Sequence, residues 1–297
     1  MKDYSDYKKI IDESLISFLP EIDGKADELR QAMEYSLLAG GKRIRPVLCL
    51  ACCELCGGSV EFALPFAAAI EFIQTYSLIH DDLPAMDNDD YRRGKLTNHK
   101  VFGEDIAILA GDGLLSAAYE VMSKDMLEYL DDQQLLSRKA LALSDIADGT
   151  GCRGMVAGQI ADIKSEHEQV DAETLKFIHL NKTAAFIKAA VLSGAHLGGA
   201  SSEYFEKLEK YADNVGLAFQ IVDDIQDVIG DSEKRGKRVG GDLENEKSTY
   251  TALFGLEESR RKANALLDEA HKAVTDFKEK GLVLNYLIDL LEEMMIA

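Results

Sequence analysis

The 297-residue sequence predicts an all-α fold, a single domain over residues 1–297 built from ten or more helices. Three observations carry this expectation. Apolar residues recur at helical spacing almost throughout. No alternating segment bounded by hairpin turns is visible. No low-complexity linker divides the chain. Composition agrees, because with only 4 prolines and no tryptophan the chain favours Ala, Leu, Glu, Lys and Asp over β-branched residues.

The elements run in order. Residues 4–18 place Tyr7, Ile10, Ile11, Leu15 and Phe18 on one helical face. Residues 26–38 form a second helix that ends at Gly40 and Gly41. Pro46 suits the first turn of a third, which runs to Gly57 and Gly58. A long apolar helix spans 61–83, and further helices are expected at 105–130, 133–148, 171–197, 203–229, 257–280 and 282–296. The central ones are apolar all round, which predicts burial.

The formal net charge of −20 argues against a nucleic-acid partner and against docking on anionic lipid. An anionic substrate stays open, since a local cluster of Lys, Arg and metal reverses the sign inside a site. No apolar run reads as long enough for a membrane span, and the start MKDYSDYKKI lacks a signal core. A cytoplasmic protein without membrane insertion is the expectation. Four of the five cysteines, Cys49, Cys52, Cys53 and Cys56, fall in CLACCELC. That run matches a paired C-x-x-C metal site and equally one stripe of a helix. Structural zinc draws on separated turns and free cysteine packs like a small hydrophobe, so core packing is favoured.

Two acidic clusters carry the functional signal. The first is SLIHDDLPAMDNDDYRRG, residues 77–94. Gln74, Ser77 and Asp81 share a helical stripe, with Asp82 beside Asp81. Asp87 lies about 600° further round an unbroken helix, but Pro84 stops or bends the helix and lets Asp87 swing back. The second is FQIVDDIQDVIGD, residues 219–231, in which Gln220, Asp223, Asp224 and Asp227 fall at i, i+3, i+4 and i+7. Carboxylates on such apolar helices need water, a salt bridge or a cation, because unpaired burial is prohibitive. Hard divalent ions such as Mg²⁺ take oxygen ligands, commonly one or two carboxylates plus substrate phosphates.

Basic residues stand near both clusters. Arg92 and Arg93 come just after the first, and arginine presents a fork that fits phosphate. GGKRIRP, residues 40–46, puts Lys42 and Arg45 on a glycine loop entering a helix, where N–H groups and the helix dipole favour an anion. Lys182 lies in line with Leu175, Ile178, Ala185, Phe186 and Ala189, so it either snorkels or meets a buried anion. Lys237 and Lys247 come after the second cluster. GTGCRG, residues 149–154, matches the dinucleotide glycine pattern but lacks a preceding strand. His80–Asp81 fits an all-α metal phosphohydrolase, yet the other five histidines show no ligand spacing.

DDLPAMD with NDDYRRG, then DDIQD, with GGKRIRP upstream, resemble the trans-polyprenyl diphosphate synthases from about residue 39 to 250, most of all the bacterial type of farnesyl diphosphate synthase. The resemblance implies helices packed around a deep central cavity of the isoprenoid synthase type, usually in a homodimer. It implies that Asp81 and Asp87 ligate two Mg²⁺ ions with Asp82 in support, and that Asp223 holds a third, with Mn²⁺ as the alternative metal. Arg92, Lys182, Lys237 and Lys247 would grip an allylic diphosphate. Lys42, Arg45 and Arg93 would bind isopentenyl diphosphate, and Gln74, standing where the family often has histidine, would also donate to a phosphate oxygen. Some members end in a basic tail, whereas this chain ends EEMMIA. The reaction implied is ionisation, condensation and elimination, with Thr183 and Gln220 presenting oxygen dipoles to an allylic cation and the departed diphosphate taking the proton. Tyr76, with Ser77 beside it, lies roughly 7.5 Å below Asp81 on a helix and would set a farnesyl product. A geranylgeranyl product is the alternative, and a metal-dependent phosphohydrolase the more distant one.

Overall fold

The structure, a computed structural model, describes residues 2–22, 24–165, 170–229 and 249–296. The chain is helical almost throughout: α1 Tyr4–Ser14, α2 Asp27–Leu37, α3 Ile44–Leu55, α4 Val60–Asp81, α5 Asn98–Phe102, α6 Glu104–Leu127, α7 Gln133–Thr150, α8 Met155–Lys164, α9 Ala172–Ile178, α10 Ala185–Gly198, α11 Ser202–Ile229, α12 Tyr250–Phe254, α13 Leu256–Val274 and α14 Leu282–Met294. Side-chain caps start several of them. Asp3 and Asp6 form a capping box on α1, Ser59 accepts from Phe62 N–H at the head of α4, and Asp171 and Thr249 do the same for α9 and α12. Each satisfies a backbone donor that the first turn leaves unpaired.

Helix α4 is the axis of the bundle. It packs on α3 and α6, and Phe66, Ile70, Phe72 and Ile73 are fully buried. A second apolar cluster joins α3 and α10 to α11, α13 and α14 around Leu48, Tyr211, Ile221 and Leu287. The expectation that no segment is long and apolar enough for a membrane span is corrected here: α4 and α6 both meet that test by length and composition. Isolated polar residues such as Glu71 and Gln74 mask the run by eye, while the average over several turns stays apolar. The burial of α4 among its neighbours is what a core helix of a large bundle requires.

Four local features depart from the sequence expectation. Strands β1 (Tyr91–Arg92) and β2 (Lys95–Leu96) make a small antiparallel hairpin, turned by Arg93 and Gly94, both at positive φ, as a two-residue mirror-image turn demands. The short helices α5, α8 and α12 have no counterpart among the expected elements. The span 171–197 is not one α-helix, because His179–Ala184 is a π-helical turn between α9 and α10. The span 257–280 breaks at Val274 into a 3₁₀ segment, Thr275–Gly281.

The cysteine stripe is core. Cys49, Cys52 and Cys53 are fully buried where α3 meets α10. The helices approach closely because α10 presents Gly194 and Gly198 to the Cys49 and Cys53 carbonyls, leaving no room for a Cβ. Burial pushes the Cys49 thiol up to about 12. Among the described residues no three His, Cys, Asp or Glu side chains converge as a metal site. A thiol titration of native protein is therefore expected to modify exposed Cys152 quickly, and Cys49, Cys52 and Cys53 only after unfolding. Zinc released together with those thiols would contradict the packing account.

Candidate active site

The end of α4, helix α8 and the π turn enclose a cavity of about 380 Å³. Its polar lining includes Arg45, Gln74, Ser77, Asp81, Lys182 and Thr183. Tyr76 and, from α8, Met155, Ile160 and Ile163 add an apolar wall. Of the first acidic cluster, Asp81 lines the cavity. Helix α4 stops at Asp81, and the Asp87 N–H donates back to the Asp81 carbonyl at 2.9 Å. A six-residue turn containing Pro84 thus returns Asp87 to the helix end. Burial raises the Asp81 carboxyl above its ordinary range; Lys182 and Arg92 pull it down, and Asp87 and Asp82 push it up. The Gln159 amide of α8 donates to Asp81 Oδ1 at 2.9 Å.

Asp82 has a different environment. It is 3% exposed and accepts from Arg92 Nε at 2.7 and 2.8 Å and Nη2 at 2.5 Å. This pair lines a smaller hollow with Arg93 and Thr75, outside the main cavity. Arg93 Nη1 donates to the Gly40 carbonyl, and its guanidinium occupies the space a side chain on Gly41 would need. Burial draws the Arg93 guanidinium down from its usual value.

The π turn brings the two halves of the site together. Such a turn carries one residue more than an α-helical turn, shifts the phase of the downstream helix, and is frequent at functional sites. Lys182 Nζ lies 2.6 Å from Asp162 Oδ2 of α8, so the lysine predicted to snorkel or to meet an anion has a carboxylate partner. Thr183 Oγ1 donates to Gln220 Oε1 at 2.7 Å, which ties the turn to α11. Gly158 makes the α8 contact possible, since a Cβ there would sit 2.5 Å from Lys182 Cα and closer still to Lys182 N.

The second cluster does not act as one stripe. Asp223 is exposed, whereas Asp224 and Asp227 are 5% and 7% exposed. Adjacent helix positions differ by about 100°, enough to separate Asp223 from Asp224. The Asp224 carboxylate accepts from Tyr250 N–H at 2.7 Å and lies 3.3 Å from His179 Nε2, with the His179 and Tyr250 rings stacked. It joins α11, the π turn and the start of α12. Lys237 and Lys247 lie outside the described residues.

Of the other basic candidates, Arg45 lines the cavity, with its guanidinium 5.0 Å over the Phe186 ring. Its Nε is buried without a hydrogen-bond partner among the described residues, and burial draws the group down to about 10. Lys42 is exposed, its Nζ 3.5 Å from Met294 Sδ on the C-terminal helix. Tyr76 is 9% exposed and meets the His80 ring edge-on at 5.7 Å; burial pushes its phenol up to about 12. His80 Nε2 is 3.0 Å from the Ile108 carbonyl and packs against Gly111 of α6, a structural setting for the histidine of the phosphohydrolase alternative.

Sequence reasoning missed Gln159, Asp162 and His179. MVAGQIADIK contains the needed signal, a glycine backed by Gln and Asp three residues apart on one helical face.

Comparison with known proteins gives a consistent picture. A model of the family described as polyprenyl synthetase matches residues 26–289. A dimethylallyltranstransferase of Fischerella ambigua is 50% identical over 267 residues, covering 90% of this chain and 76% of that protein. A geranylgeranyl diphosphate synthase of Cyanophora paradoxa is 48% identical over 283 residues, covering 95% and 92%. The crystal structure of a geranyltransferase from Helicobacter pylori, complexed with magnesium and isoprenyl diphosphate, matches with a TM-score of 0.83 at 30% identity, over 99% of this chain and 96% of that one.

The α8 contact with the π turn is directly testable. Gly158→Ala gains roughly 1 kcal/mol of helix propensity, but overlap with the Lys182 backbone, which cannot swing aside as a side chain does, is expected to outweigh it, toward the upper end of the usual overpacking cost of about 1–3 kcal/mol. A urea midpoint lower than wild type is the expected result. A higher midpoint would mean that α8 does not pack on the turn.

Proposed function

The chain belongs to the polyprenyl synthetase family and is a trans-prenyltransferase, and from that premise we propose that it condenses isopentenyl diphosphate with dimethylallyl or geranyl diphosphate to give farnesyl diphosphate and diphosphate. The observation that carries the product assignment is Tyr76, whose ring lines the cavity about one and a half turns below Asp81. A bulky ring at that depth halts a growing chain. A twenty-carbon product is the second reading, favoured by the likeness to the Cyanophora paradoxa geranylgeranyl diphosphate synthase.

Asp81, Asp87 and Asp223 would hold Mg²⁺, three ions in all. The donors are all oxygen, as a hard cation requires, and Asp81 lines the cavity together with Arg45 and Lys182. Bound there, Mg²⁺ supplies Lewis-acid neutralisation of charge on a departing diphosphate.

The protein's own groups do the rest. Lys182 and Arg92 sit close enough to Asp81 to affect its charge and would add positive field at the leaving oxygen. Arg45, Gln74, Lys42 and Arg93 would bind isopentenyl diphosphate. The Met155, Ile160 and Ile163 wall of α8 excludes water, which would otherwise quench an allylic cation. Thr183, which lines the cavity, and Gln220, which accepts from it, would present oxygen dipoles to that cation. As the allylic carbon–oxygen bond breaks, the isopentenyl double bond forms the new carbon–carbon bond. The proton lost passes to the released diphosphate, so the reaction needs no histidine base. Exposed Ile108, Leu109 and Leu127 on α6 support a homodimer, and a cytoplasmic location belongs to the same reading.

Incubation with isopentenyl and dimethylallyl diphosphates and Mg²⁺ is expected to yield a fifteen-carbon diphosphate by chromatography. Release of inorganic phosphate without chain growth would sink the reading. Tyr76→Ala is expected to shift product to twenty carbons or more. An unchanged chain length from that variant would remove Tyr76 as the floor.

A further inference from the structure

Arg43 stands between two residues of the proposed isopentenyl diphosphate site, Lys42 and Arg45, within the same basic motif. Sequence alone assigns it no role, although its chemistry is that of a phosphate-binding cation. Its structure says otherwise. The side chain is 2% exposed, and all three guanidinium nitrogens donate into the protein. Nε reaches Asp12 Oδ1 of α1 at 2.9 Å. Nη1 donates to Glu71 Oε1 of α4. Nη2 reaches the Leu37 carbonyl at the end of α2 at 2.6 Å. Glu71 is itself 2% exposed, so each charge is the buried partner of the other.

The backbone at Arg43 is equally unusual. It is the N-cap of α3 with φ 56° and ψ 32°, a left-handed conformation that costs an L-residue roughly 1–2 kcal/mol. Gly40 and Gly41 before it also have positive φ, which glycine tolerates freely. The loop from 40 to 43 is held at several points. Arg93 donates to the Gly40 carbonyl, the Tyr4 hydroxyl donates to the Lys42 carbonyl, and Val47 N–H donates to the Arg43 carbonyl at 3.1 Å to begin α3. The Arg43 side chain reaches α1, α2 and α4 together. Backbone strain of this kind persists only where surrounding contacts over-determine it.

We propose that Arg43, clamped by Glu71 and Asp12, is a positioning residue that fixes the left-handed loop and thereby aims Lys42 and Arg45 at the isopentenyl diphosphate. Arg45 is two residues away on the first turn of α3, with a buried Nε that no acceptor among the described residues satisfies. Rotation of the α3 N-terminus would withdraw it from the cavity. The allylic half of the site is built from the C-terminal end of α4, α8 and the π turn, whereas the clamp reaches α4 at Glu71, well before Asp81. The proposal rests on the prenyl-transfer reading and predicts a defect confined to one substrate.

Arg43→Lys and Glu71→Gln test it. Lysine keeps the charge but cannot reach three acceptors from one rigid fork, while glutamine preserves the shape of Glu71 and still accepts from Arg43. Steady-state kinetics with each substrate varied in turn should show KM for isopentenyl diphosphate raised on the order of 10-fold or more in Arg43→Lys, with a smaller rise in Glu71→Gln. KM for the allylic diphosphate and kcat should stay within about twofold in both. Thermal unfolding checks that the variants fold; if Arg43→Lys does not, Glu71→Gln alone decides. Equal rises in both KM values, or a lowered Tm with both KM values unchanged, would overturn the positioning role. Lack of chain elongation by wild-type protein would instead count against the prenyl-transfer reading.

Discussion

A carboxylate at the inner end of an apolar helix has to be compensated, and that constraint organises this molecule. Asp81 terminates α4, and burial raises its carboxyl despite Lys182 and Arg92 nearby. Proton uptake, protein cations or a bound metal are the available remedies. The neighbouring side chains compensate the carboxylate only in part. Gln159 gives one hydrogen bond, and Lys182 is shared with Asp162. Arg92 is engaged by Asp82. A site left in this state favours further positive charge, and in the proposed reaction a diphosphate accompanied by Mg²⁺ would bring that charge together with the oxygens that complete its coordination.

The π turn is the mechanical counterpart of that electrostatic arrangement. Gly158 lets α8 press against its backbone, Thr183 links it to Gln220 of α11, and His179 meets Asp224. One short irregular segment therefore connects the α8 wall beside Asp81 to the second acidic helix. The second cluster divides in its surroundings. Asp224 anchors the turn and the start of α12, while Asp223 is exposed. One residue of helical rotation is enough to separate the two environments.

Much of this was legible in the sequence. The helical periodicity located the long helices, and Pro84 led to the return of Asp87 to Asp81. The cysteine stripe reads as core once its helical spacing is weighed against zinc geometry. Other features left no one-dimensional trace. A π turn changes phase by a single residue, so the apolar stripe through Lys182 looked continuous. Helix α8 is short, begins after a glycine-rich stretch and mixes polar with apolar residues, so no periodic signal announced it. Nothing in GGKRIRP marks Arg43 as a tethered residue; only the positions of Asp12, Glu71 and Leu37 in space show that role. The β1–β2 hairpin is too short for alternation to register.

The central claim is that carboxylates from α4 and α11 act on one diphosphate through metal. Calorimetric binding of an unreactive thio analogue of dimethylallyl diphosphate tests it most directly, with Mg²⁺ present or chelated, in wild type, Asp81→Asn and Asp223→Asn. Binding that requires Mg²⁺ and is weakened by either substitution is the predicted result. Binding that survives chelation, or that Asp223→Asn leaves at wild-type strength, would contradict the account.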